Sequence, residues 1–118
     1  MIEQLICKVF VTRNAAHIAH WRTKSFAQHT ALGDFYDGLI DSIDKITEMH
    51  MGAFGLVSEI DPPGGDMPAD IMDHIAEEAN WIEKNREEIA GGVRALENLV
   101  DELSGLYFTT YYKLRNLS

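Results

Sequence analysis

The sequence predicts an all-α fold, a bundle of four helices, and three observations carry that prediction. Apolar residues recur at spacings of three and four along most of the chain, and no segment alternates convincingly with period two. All three prolines fall in one stretch, Asp61-Pro62-Pro63-Gly64-Gly65-Asp66-Met67-Pro68, which can be neither helix nor strand interior and reads as a single long loop. A second break, Gly91-Gly92, divides the remainder. With 118 residues the chain is read as one domain, 1–118, large enough to bury a core without staples.

The first helix is expected from about residue 2 to 22, with Leu5, Val9, Ala16 and Ala19, and Ile6, Phe10, Arg13, His17 and His20, at helical spacing. Thr23 to Gln28 reads as a tight link. The second helix is expected from about 29 to 53 on the stripe Leu32, Phe35, Leu39, Ile43 and Ile46. After the long loop, Pro68 suits a first helical turn and Asp66 a cap, and Ile71, Ile75, Ala79, Ile82 and Ile89 face inward. The fourth helix carries the longest stripe: Val93, Leu96, Val100, Leu103, Tyr107, Thr110, Leu114 and Leu117. Connections in the order short, long, short imply two antiparallel hairpins joined by the Pro/Gly loop, the ferritin-like arrangement.

Composition narrows the partners. A net charge of −9 and no basic tail or Lys/Arg stripe repel phosphate backbones, so no nucleic-acid partner is expected, whereas cations are attracted. Arg22-Thr23-Lys24 is the longest basic cluster and is too small to hold a duplex. The longest apolar stretch, Leu5 to Val11, is interrupted by Lys8 and too short to span a bilayer, so no membrane partner is expected. A single cysteine, Cys7, forms no internal disulfide and reads as a small packing residue. With no leader visible, a cytoplasmic setting is the expectation.

Five carboxylates, Asp34, Asp37, Asp41, Asp44 and Glu48, run along the second helix at spacings of three and four, and the ridge as a whole reads as a solvated face. Asp44 and Glu48 stand out because His20 and His29 flank the tight link. Imidazole and carboxylate together suit iron, zinc or manganese. The bland reading of these histidines is an ordinary surface or core-edge role, and His17, His50 and His74 are read that way, His50 and His74 for want of an acidic partner at ligand spacing. A di-iron bundle needs Glu-x-x-His on two helices, and the sequence has none, so no di-iron centre inside one bundle is expected.

The run His20-Trp21-Arg22-Thr23-Lys24, followed by His29, Tyr36, Leu39, Asp44, Ile46 and Glu48, resembles the first helical hairpin of the Dps-like ferritins. It also resembles short ferritin-like proteins of unknown function encoded by bacteriophages, which would place the chain in a host cytoplasm. The Dps resemblance implies a site shared between two subunits, with His20 and His29 from one chain and Asp44 and Glu48 from the other. Three departures stand out: a link three residues shorter, Gly33 where that family has a further Asp, and no basic N-terminal tail.

Two classes of function follow. The resemblance implies a homo-oligomeric iron-binding protein, with zinc or manganese as alternatives, and a possible ferroxidase in which Trp21 and Tyr36 would quench radicals. Without metal, the chain is an acidic helical oligomer that docks on another protein. Trp81, Tyr107, Phe108, Tyr111 and Tyr112 are the candidate contacts, and Phe108 and Tyr112 the expected exposed pair.

Overall fold

The computed structural model describes residues 1–61 and 67–118. They form the expected all-α bundle: α1 Ile2–Arg22, α2 Phe26–Phe54, α3 Ile71–Ala90 and α4 Arg94–Asn116. α1 has the bounds its periodicity predicts. α2 begins three residues early because Ser25-x-x-Gln28 is a capping signal: the Ser25 hydroxyl accepts from the Gln28 amide, and Thr23 Oγ1 accepts from the Ser25 amide. The link therefore shrinks to Thr23–Ser25, and His29 lies inside the first turns of α2 rather than at its start.

α3 begins later than Pro68 suggests. Its cap is Asp70, whose carboxylate accepts from the amides of Met72 and Asp73 at 2.9 and 3.1 Å. The cap expected at Asp66 lies outside the described residues. α3 ends at Gly91, whose φ of 59° is left-handed and favours glycine; a Cβ there would also push aside the exposed Phe54 ring, 2.8 Å away. Val93 and Leu117, placed in the fourth helix by periodicity, are its flanking caps instead.

α1 packs on α2 and α3, and α4 on α2 and α3, so α1 and α4 lie across one diagonal. The C-terminal ends of α1 and α4 and the N-terminal ends of α2 and α3 line one cleft, at what is called here the top of the bundle. Phe54 meets Gly91 at the bottom. α2 and α3, joined by the long link, thus run parallel across the other diagonal, and every adjacent pair is antiparallel, which sets helix dipoles favourably. Cys7 lies partly buried beside that link, its thiol 3.6 Å from the Asp61 carbonyl. The core is one cluster drawn from all four helices, with Phe35 edge-on to Tyr107 at its centre, ring centroids 5.1 Å apart. Among the described residues no helix is long and apolar enough to cross a membrane.

Candidate functional site

At the top of the bundle, His20 and His29 meet across the α1–α2 hairpin. Their rings stack with centroids 3.7 Å apart. Each ring also bonds the other residue's backbone: His20 Nδ1 lies 2.5 Å from the His29 carbonyl and His29 Nδ1 lies 2.8 Å from the His20 carbonyl. A carbonyl can only accept, so both Nδ1 atoms carry the proton and both Nε2 lone pairs are left over in the neutral rings. The His20 carbonyl belongs to the last turn of α1, where helical acceptors run out, so the His29 ring caps one helix from the other.

Gly33 makes this possible. A Cβ at Gly33 would lie 3.1 Å from His20 Cε1, so the ring of His20 rests close on the backbone of α2 and a side chain there would crowd it. The additional Asp of the Dps-like pattern is thus replaced by the residue that lets His20 fold inward. Around the pair, His17 stacks on Tyr36 at 4.1 Å and contacts Trp21 at 4.2 Å, and the Arg13 guanidinium lies over the Tyr36 ring. Lost hydration, then the charges of Arg13 and His20, hold the His17 imidazole below its ordinary pKa, with Asp37 opposing.

Asp44 and Glu48 are not brought to the histidines of their own chain. Fifteen and nineteen residues past His29, they lie about 22 and 28 Å further along α2 at 1.5 Å per residue. Both are exposed, as is the rest of the acidic ridge. They line a shallow groove of about 460 Å³ between α1, α2 and the link, whose other walls include Ile6, Phe10, Ile43 and Ile60. Among the described residues no group of three or more His, Cys, Asp or Glu side chains is placed to hold a metal ion.

The sequence reading missed a polar cluster inside the bundle. Glu78 is 4% exposed, and its Oε2 accepts from Tyr107 Oη at 2.8 Å and from Thr12 Oγ1. Thr12 Oγ1 is also 2.7 Å from His74 Nε2, and that ring lies 3.6 Å from the Glu78 carboxylate one turn away. His74 therefore does have an acidic partner, contrary to the expectation from spacing. Burial raises the Glu78 pKa, opposed in turn by the hydroxyls of Thr12 and Tyr107 and the charges of His74 and Lys8. Burial, then the Glu78 charge, pushes the Tyr107 phenol well up. The signal was in the stripes: Thr12 continues Leu5, Val9 and Ala16, and Glu78 falls between Ile75 and Ile82. Asp70, four residues before His74, is occupied as the α3 cap.

The top of the bundle also shows large apolar side chains to water. Trp21 is 67% and Phe26 82% exposed, and Ile18 40%. At the same end a cleft of about 640 Å³ opens between the helix ends; of the three only Ile18 lines it, with Leu32 and Met72 among its other apolar walls and Arg22 and Gln28 at its polar edge. His20 and His29 do not line it.

Residues 20–114 match a family of unknown function, DUF5856, across most of the chain. The chain belongs to that family. It is also similar to an "Uncharacterized 14.6 kDa protein in mobD-ri intergenic region" of Enterobacteria phage T4, 29% identical over 102 residues, covering 83% of this chain and 75% of the phage protein. No solved structure matches the chain. The resemblance to short phage proteins of unknown function is thus met at the family level, and neither match names a ferritin.

Proposed function

We propose that this DUF5856 chain is a non-enzymatic, phage-type helical module that docks on another protein through the top of its bundle. The observation that carries this reading is the exposure of Trp21 and Phe26 at the end of an acidic molecule where an open cleft also lies. Exposed aromatics flanking a concave surface are typical anchors of protein interfaces. Arg22 and Lys24 stand at the same end and give a net-negative chain a basic patch there. The matching partner is a segment that offers apolar side chains to the cleft and carboxylates to Arg22 and Lys24. Both polar clusters already have structural work, the histidines in capping the hairpin and Glu78 in satisfying buried hydroxyls.

Affinity capture from extracts of the source cells, wild type against Trp21→Asp/Phe26→Asp, tests the reading. It expects polypeptides retained by wild type and lost from a variant that keeps its helical spectrum. Identical retention by both proteins would contradict it.

One observation supports a second reading, metal binding between chains. The unused Nε2 lone pairs of His20 and His29 suit a divalent cation, with Asp44 and Glu48 of a second copy completing the set; iron is the cation the Dps resemblance implies. Metal content of the purified chain, with Asp44→Asn as control, tests it: stoichiometric metal lost in the variant supports the site, and equal content in both proteins refutes it.

A further inference from the structure

We infer that the outer face of α4 is a self-association surface, on which a second copy of this chain packs antiparallel. This face runs along the outside of α4 down from the top of the bundle, shares no residue with the docking surface and does not depend on the docking reading. Opposite its core stripe, α4 carries a second row at alternating spacings of four and three: Arg94, Asn98, Asp101, Gly105, Phe108, Tyr112 and Arg115. Every one of these is exposed, Phe108 at 45% and Tyr112 at 57%. Within this row Gly105, Phe108 and Tyr112 form the uncharged stretch on which a second helix seats.

Gly105 is the reason to name a second copy. Glycine in a helix interior is unfavourable unless something needs the missing Cβ. Elsewhere in this bundle the need is visible: Gly38 of α2 receives Leu106, whose Cδ2 would lie 3.0 Å from an added Cβ, and Gly33 receives His20. Gly52, which meets nothing, lies in the last turn of α2, where the cost is small. Gly105 sits mid-helix with no heavy atom within 4 Å of a Cβ built there, so among the described residues nothing uses the space. In an antiparallel pair of α4 helices in two-fold symmetry, the layer that sets Gly105 against Phe108 of the second copy occurs twice, and each ring enters the other's glycine gap.

Charge fixes the direction. Toward the N-terminal end of α4, Glu97, Asp101 and Glu102 outweigh Arg94, with Arg86 of α3 held between Glu97 and Asp101, and toward the other end lie Lys113 and Arg115. Antiparallel pairing sets each end over its opposite, whereas parallel pairing would superpose like charges. Arg86 holds Asp101 through two hydrogen bonds, at 2.5 and 2.9 Å, which fixes that carboxylate at the rim of the face.

Sedimentation of the full chain as a function of concentration tests this. Wild type is expected at twice the 13.3 kDa chain mass, and Phe108→Asp and Gly105→Leu at the chain mass with helical spectra intact. Gly105→Leu is the informative variant, since it fills the gap while raising helix propensity. Arg115→Glu, a fully exposed change, is expected to weaken the dimer even if either of the others fails to fold. Wild type at the chain mass throughout, or a dimer indifferent to these substitutions, would overturn the proposal.

Discussion

At the top of the bundle, two imidazoles hold two backbone carbonyls within reach of water. In the core, one carboxylate gathers two hydroxyls and approaches a third group, with Thr12 and Tyr107 fully buried and Glu78 almost so. Similar polar groups serve both places, but their surroundings differ. A group at the top that loses its partner can turn to water, so its hydrogen bond contributes little net stability. A group in the core has no such recourse, and removing its partner costs the full desolvation of what remains. The comparison separates what holds the fold from what is free to meet another molecule.

The largest expected effect comes from breaking the core cluster. Glu78→Leu should lower the unfolding free energy by about 1–3 kcal/mol for each hydroxyl left without an acceptor, read by urea denaturation. Replacing all three groups, as Thr12→Val/Glu78→Leu/Tyr107→Phe, should recover most of that loss, because nothing polar is then stranded. A triple variant as unstable as Glu78→Leu would show that packing rather than hydrogen bonding governs the site.

The next effect depends on pH. The Glu78 pKa is raised in the fold above 4.5, so over that interval the folded state holds a proton that the unfolded state releases. Stability should therefore fall as pH rises through the interval. Glu78→Gln keeps an acceptor but cannot ionise, so the melting temperature of wild type relative to this variant should decline as pH climbs. A constant difference across the interval would contradict the assignment.

At the top the changes should be smaller. His29→Ala removes one exposed bond and should cost about 0.5–1.5 kcal/mol. Trp21→Ala and Phe26→Ala should shift stability within about 0.5 kcal/mol, since both side chains face water. Their effect belongs in partner retention. A large loss of stability on either substitution would mean that these rings pack in solution and are not available for docking.

Much of the fold was legible because the apolar stripes of α1, α2 and α4 are long and regular, and the position of the prolines fixed the one long connection. The start of α2 was missed because Ser25-x-x-Gln28 is a local capping signal that a search for apolar periodicity passes over. The core cluster was missed for a related reason: Glu78 and Thr12 are polar, and a search for apolar residues passes over them although both occupy stripe positions. The nearness of His20 and His29 followed from the length of the link. Their reciprocal bonds did not, because those depend on ring orientation and on the room left by Gly33. The exposure of Trp21 and Phe26 was hidden because aromatic residues more often pack inward.

The central claim is that the paired histidines serve the hairpin and leave binding to the apolar surface. Imidazole nitrogen NMR on the full chain, before and after adding equimolar Zn²⁺ or Fe²⁺, tests it most directly. The account predicts protonated Nδ1 and unprotonated Nε2 on both His20 and His29, with Nε2 signals unmoved by the metal. A metal-induced shift at both Nε2 atoms that disappears in Asp44→Asn would contradict it and establish a site shared between chains.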